Sequence, residues 1–243
     1  MALLYRDTDR DWQRIGETEP FWGVLTAPEF RKDSLTSDAV EAFYDTGKDY
    51  VGWLKGEMEA FCGAPFAPRK ALDFGCGVGR LTHAMTAVAE EVIGVDIAPA
   101  MLARARERGE AGVRFQTDLP DEAFDWIHSY IVFQHIPAAR GMDILRDLLR
   151  RLTPDACVTL HFTVGRSDAH RGSTPLARLL QWYDNRTGAG HQVSMHDYDI
   201  GELTRTLYAA GINQMNLLPT DHGGHYGVFI IGRRNAKTPS VLT

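Results

Sequence analysis

Cysteine is scarce in this chain. Its 243 residues include three, Cys62, Cys76 and Cys157, an odd number with no metal-ligand spacing among them, which fits a reducing compartment rather than a disulfide framework. Basic charge is in deficit as well: 26 Lys and Arg against 32 Asp and Glu leave a net charge of −6, which argues against broad electrostatic binding to nucleic acid. No apolar run is long enough to span a bilayer, and the opening M-A-L-L-Y-R-D-T-D-R-D-W has none of the apolar character of a signal peptide. A cytoplasmic protein without a membrane partner is therefore expected. Internal repeats and low-complexity tracts are missing too. The remaining composition, 44% hydrophobic and 24% charged, is ordinary and suffices for one substantial core. Helix-surface arginines at 104, 106 and 108 and at 146, 150 and 151 read as solvated faces.

Against this plain background one stretch stands out. Lys70 to Leu81 reads K-A-L-D-F-G-C-G-V-G-R-L, a short apolar strand, three glycines in five residues and a helix start. Gly75, Gly77 and Gly79 let the backbone turn tightly and approach a ligand, and the helix that follows offers free N–H groups to an anionic group. The spacing is G-x-G-x-G, with Arg80 where a dinucleotide fingerprint would place its last glycine. Asp73 precedes the loop at the strand end, where its charge would repel a pyrophosphate but suit a ligand carrying an ammonium and a sulfonium. Asp96 closes the next strand, Glu91 to Asp96, 21 residues beyond Gly75, the interval at which a carboxylate reaches a ribose.

The segment L-D-F-G-C-G-V-G-R resembles the first motif of class I S-adenosylmethionine-dependent methyltransferases, of the small-molecule type. That resemblance implies an α/β fold: a Rossmann-like, doubly wound sheet of seven strands whose last pair is antiparallel, with a helical N-terminal lid. It implies S-adenosyl-L-methionine as cofactor, the loop at Gly75, Cys76 and Gly77 wrapping the methionine half, Asp73 bonding the amino group and Arg80 the carboxylate. Asp96 would take the ribose hydroxyls, with Ile97 and Met101 beside the adenosine. Thr117, Asp118 and Leu119 follow the third strand, Val113 to Gln116, where the family binds adenine. The strand Ala123 to Tyr130 and the following I-V-F-Q-H-I-P resemble the fourth motif, whose end faces the methyl group, making Ser129, Tyr130 and Gln134 wall residues. His135 is the leading candidate for a general base, since imidazole titrates near neutral pH; a cofactor-shaping role is its alternative.

Outside the motifs the chain divides by texture. Residues 1–62 hold ten of the 24 aromatic residues without strand alternation, and read as a helical lid made of two short helices broken at Asp45-Thr46-Gly47. Most of these rings, Trp12 included, are expected to pack the lid onto the sheet; Tyr44, in F-Y-D-T-G-K, is expected to touch the cofactor. Residues 63–243 form the core. A fifth strand runs from Cys157 to Val164. The stretch 165–199, with His170, His191, His196, Trp182 and Tyr183, breaks the alternation where this family inserts substrate-covering elements. A helix near Ile200 to Ala210 and two apolar stretches, Ile212 to Leu218 and Tyr226 to Ile231, complete the sheet.

The expected activity is methyl transfer to an oxygen or nitrogen of a small-molecule acceptor, by a monomer or homodimer. His222 and His225 in D-H-G-G-H-Y suggest a metal site near Asp221, but the glycines between them suggest a loop, and no metal is assigned. Two other readings remain open: a domain that binds S-adenosylmethionine without turnover, and a nicotinamide-dependent reductase. Tyr44 and Lys48 do make a Y-x-x-x-K pair, but it precedes the glycine loop, whereas such reductases carry theirs well after it.

Overall fold

The computed structural model describes residues 8–167 and 195–235. Inside its sheet lies β1 (Lys70–Phe74), whose Ala71, Leu72 and Asp73 are all buried because parallel neighbours flank it on both sides. On one side lie β2 (Glu91–Val95) and then β3 (Val113–Gln116); on the other come β4 (Phe124–Ser129) and β5 (Leu152–Arg166). The antiparallel pair β6 (Ile212–Asp221) and β7 (His225–Arg234) completes a seven-stranded sheet in the order β3-β2-β1-β4-β5-β7-β6. The strand order reverses between β1 and β4, and such a switch point opens a crevice at the carboxyl ends of the strands. The doubly wound sheet and its antiparallel end are as the resemblance implies.

Helices cover both faces. α6 (Ala138–Arg150) and α7 (Ile200–Ala209) bury Met142, Leu145, Leu148, Leu149, Leu203 and Leu207 against Leu72, Ile127, Leu160 and Phe162. The opposite face takes α4 (Arg80–Met85) and the long α3 (Ser37–Cys62), with Val51, Leu54, Met58, Leu81 and Met85 packed on Trp126, Cys157 and Phe229. α5 (Pro99–Arg106) follows β2, opened by Pro99 in its first turn. Before α3 the chain forms α1 (Thr8–Thr18), the short α2 (Pro20–Val24) and a single 3-10 turn at Pro28–Phe30. Phe21, Phe30, Phe43 and Tyr44 gather there with Val78, Ala98 and Met101.

Two elements differ from expectation. The break at Asp45-Thr46-Gly47 does not occur: α3 is one helix of 26 residues, capped by Thr36, whose Oγ1 accepts from the Ala39 N–H, and ended by Gly63 at φ 64°. Its buried positions 43, 44, 47, 51, 54 and 58 keep the 3–4 helical spacing straight through the glycine. Gly47 is there for closeness, since a Cβ on it would lie 2.3 Å from the Arg80 carbonyl oxygen. β5 starts earlier than Cys157, because Leu152 pairs with Phe124 before a bulge at Asp155, φ 63°, shifts the register to Trp126–Cys157. Of the histidines and aromatic residues expected in the stretch 165–199, His170, Trp182, Tyr183 and His191 lie outside the described residues.

Candidate active site

The glycine loop is locked to the next strand by its own backbone. Gly75 and Cys76 both donate N–H groups to the Val95 carbonyl, at 2.7 and 3.0 Å, and the Gly77 N–H donates to Asp96 Oδ2 at 2.8 Å. The other Asp96 oxygen accepts from the Ala98 N–H at 2.9 Å, so this carboxylate ties the loop to the start of α5. Gly75, Gly77 and Gly79 have φ of 77°, 54° and 79°, and a Cβ on Gly75 would stand 2.3 Å from the Val132 side chain. Ile131, directly after Tyr130, also has positive φ, 58°, a strained conformation for a β-branched residue. Strain at the end of β4 thus faces the tight turn at the end of β1.

Between these strand ends lies a cavity of about 400 Å³. Asp73, Gly75, Cys76, Gly77, Arg80, Asp96, Ile97, Met101, Thr117, Asp118, Leu119, Tyr130 and His135 all line it. Three residues expected at the site are not in its wall. Tyr44 is buried under the loop and donates its hydroxyl to the Val78 carbonyl at 3.0 Å. Ser129 donates to the Phe74 carbonyl, joining β4 to β1. Gln134 accepts from Thr163 and lies 3.1 Å from the His135 ring, behind the wall rather than in it.

The cavity also takes residues that the sequence did not single out for it. Thr8, Asp9 and Trp12 of α1, with Gly23 and Val24 at the end of α2 and Leu25 after it, cover one side. The Trp12 ring meets His135 edge-on at 4.9 Å, and Arg140 of α6 donates to Asp9 at 2.8 Å, so α1 reaches across to α6. Ile131, Val132, Ile136, Arg140 and Ile144 complete the far wall. The only sequence signal for α1 was its aromatic content, which a packing role explains equally well.

Buried charge is concentrated on either side of the loop. Asp73 is 2% exposed, and burial raises its carboxyl to about 6, although Thr82 donates to it at 2.6 Å and Arg80 stands near. Arg80 is 8% exposed; its Nη1 donates to Thr46 at 3.2 Å, while its Nε, also buried, has no hydrogen-bond partner among the described residues. Burial also pushes the Asp96 carboxyl up, against the pull of its two backbone donors.

Residues 71–155 match the family model described as a methyltransferase domain. The match runs from β1 through the glycine loop to the start of β5, so this stretch is similar to a methyltransferase domain. The fold of the whole sheet is shared with solved structures. Magnesium protoporphyrin IX methyltransferase (ChlM) from Synechocystis PCC 6803, with bound SAH, is 15% identical at a TM-score of 0.64, over 94% of this chain and 100% of that one. The N-methyltransferase NodS from Bradyrhizobium japonicum WM9 gives 15% identity and 0.57, over 94% and 98%. CalS10, an amino pentose methyltransferase from Micromonospora echinaspora, gives 18% and 0.55, over 82% and 98%. No curated protein matches the sequence at a significant level.

The residues of this cavity fit S-adenosylmethionine. The unpartnered Arg80 Nε is a buried cationic donor beside the cavity, suited to a carboxylate, and the buried Asp73 carboxylate is suited to a cationic group. Among the described residues, no group of three His, Cys, Asp or Glu side chains is arranged to hold a metal ion, and no helix is long and apolar enough to cross a membrane. Asp221, considered above as a metal ligand, accepts instead from the Gly224 N–H at 2.7 Å.

Proposed function

We propose that this chain transfers the methyl group of S-adenosylmethionine to an oxygen or nitrogen of a small-molecule acceptor. The observation that carries this reading is the pair Asp73 and Arg80, opposite charges buried in the wall of one cavity on either side of the glycine loop. A methionine moiety presents an ammonium and a carboxylate a few ångströms apart, and this pair answers both. S-adenosylmethionine supplies a methyl carbon already activated by its sulfonium, so the protein's task is mainly to position the acceptor and exclude water.

On this reading Gly75, Cys76 and Gly77 bring backbone against the methionine half, Asp96 faces the ribose, and Ile97, Met101, Thr117, Asp118 and Leu119 enclose the adenine. Tyr130 borders the methyl position. His135, held between the Trp12 ring and the Gln134 amide, receives the acceptor's proton where the acceptor is a hydroxyl. Residues 1–62 act as a lid, with α1 fastened over the cavity by Asp9 and Arg140. Residues 63–243 are the catalytic core. The three free thiols and the acidic balance suit a cytoplasmic monomer or homodimer.

Calorimetry with S-adenosylhomocysteine and with NADH tests the reading at its root: binding of the first and none of the second is expected, and the reverse sinks it. A metabolite extract incubated with methyl-labelled S-adenosylmethionine then identifies the acceptor. With that acceptor, His135→Gln should lower kcat at least tenfold with S-adenosylhomocysteine affinity intact. Unchanged turnover removes the base assignment.

A further inference from the structure

Three further buried side-chain atoms on the α3-covered side of the sheet lack any hydrogen-bond partner among the described residues: Tyr50 Oη, His128 Nε2 and His161 Nδ1. Native interiors rarely leave so many unsatisfied groups together, and each such group calls for a missing partner. Two of their residues pack against one ring. Tyr130, in the cavity wall, lies tilted against Tyr50 at 4.7 Å and meets His161 edge-on at 5.4 Å; Tyr50 in turn lies 5.7 Å from His128. The strained Ile131 follows Tyr130 directly, so the chain is distorted where this group adjoins the methyl position.

The group is covered by one exposed ring. His222 packs 5.1 Å from His161 and 6.2 Å from Tyr130 while facing solvent. It sits at the tip of the β6–β7 hairpin, beside Gly223 and Gly224 with φ of 66° and 89°. Beneath it, His161 is fixed from its other nitrogen, 2.9 Å from Thr220 Oγ1, in a space that Gly227 keeps open, since a Cβ there would come within 2.7 Å of the ring.

We propose that the Tyr50, Tyr130, His161 and His222 group is the acceptor subsite and takes a flat aromatic ring bearing a hydroxyl. The ring displaces His222 and stacks on Tyr130, and its hydroxyl bonds Tyr50 Oη and His161 Nδ1 while pointing toward the cavity. Four facing rings select a π surface. Burial and the neighbouring His222 push His161 down to about 4, so it meets the acceptor uncharged. Burial pushes the Tyr50 and Tyr130 hydroxyls up, opposed in part by the nearby Arg80 guanidinium, whose charge disfavours a protonated amine and favours a hydroxyl. This inference rests on reading the cavity as the methyl-donor site, and assigns the acceptor ring to the Tyr130 side of it, with the reacting hydroxyl facing the cavity that His135 also lines.

The test is NMR of the full chain with 15N-labelled histidine, saturated with S-adenosylhomocysteine and titrated with phenol, catechol, cyclohexanol and benzylamine. Phenol and catechol should shift the His161 and His222 ring signals saturably, and cyclohexanol and benzylamine should not. Tyr50→Phe, which preserves shape, should weaken catechol roughly fivefold while S-adenosylhomocysteine affinity by calorimetry stays within about twofold. His161→Gln should act likewise. Shifts confined to His135, silence at all three histidines, or equal response to cyclohexanol or benzylamine overturns the assignment. Absence of S-adenosylhomocysteine binding overturns the donor-site reading and this inference with it; donor binding without a His161 response overturns the inference alone.

Discussion

Gly47 of α3 and Arg80 of α4 approach so closely that a Cβ on the glycine would lie 2.3 Å from the arginine's carbonyl oxygen. The same approach lets Arg80 Nη1 reach Thr46, so a helix remote in sequence sets the direction of a cavity residue. Gly47→Ala should therefore destabilise the fold by about 1–3 kcal/mol, despite the roughly 1 kcal/mol that alanine gains within a helix. Gly52 lies on the same helix with nothing within 4 Å of its missing Cβ. Gly52→Ala should stabilise by about 0.5–1 kcal/mol. Urea unfolding of the two variants gives opposite signs if the packing argument holds; equal signs refute it.

Asp73 makes donor binding pH-dependent. Burial raises its carboxyl to about 6, so the group is charged at pH 7 and progressively neutral below. A ligand that brings an ammonium to it binds the charged form, and its affinity should fall as pH drops through 6, by roughly threefold to tenfold between pH 7 and pH 5. Calorimetric titration with S-adenosylhomocysteine across that range measures this. Asp73→Asn should bind weakly at pH 7 and show a flat profile; a profile as steep as wild type would assign the titration to another group.

Stability should also fall as pH drops, because of two buried histidines. Burial holds His128 near 3 and His161 near 4, both neutral in the fold, while the unfolded chain takes up protons at about 6.5. Below pH 6.5 the unfolded state binds more protons, so stability falls with pH by up to about 1.4 kcal/mol per unit for each histidine. Asp73 works the other way between about 4 and 6, where the folded state alone holds its proton, and offsets part of the loss. Urea midpoints should drop from pH 7 to pH 5. His161→Gln should flatten that slope by about one proton, and an unaltered slope would show that His161 is not neutral in the fold.

Trp12 supplies ring surface to the cavity and to His135, whereas the Asp9–Arg140 pair is partly exposed at both ends. Exposed ion pairs contribute about 0–1 kcal/mol, less than a buried aromatic face. Trp12→Ala is expected to weaken S-adenosylhomocysteine roughly tenfold, and Arg140→Ala by less than about fivefold and less still in high salt. Fluorescence or calorimetric titration of both settles the ranking. Equal, salt-sensitive losses would mean that charge, not ring burial, fastens α1.

Local chemistry was sufficient for the nucleotide-sized half of this protein. Glycines at 75, 77 and 79 are demanded by positive φ, the alternation of short apolar strands and helices demands a parallel sheet, and Asp96 stands where the end of the second strand must bring it. These features are encoded within a few residues of one another, which is why they can be read along the chain. The continuity of α3 could not be: Asp-Thr-Gly is a turn signal locally, and only the helix start at Arg80, 33 residues on, explains why a glycine there serves contact instead. The placement of Trp12, Asp9 and Arg140 around the cavity, and of Tyr50, His161 and His222 around Tyr130, likewise joins residues separated by whole elements. Side-chain type states what such residues can do; which of them meet is decided by sheet register and helix packing, long-range terms that no short stretch of sequence contains.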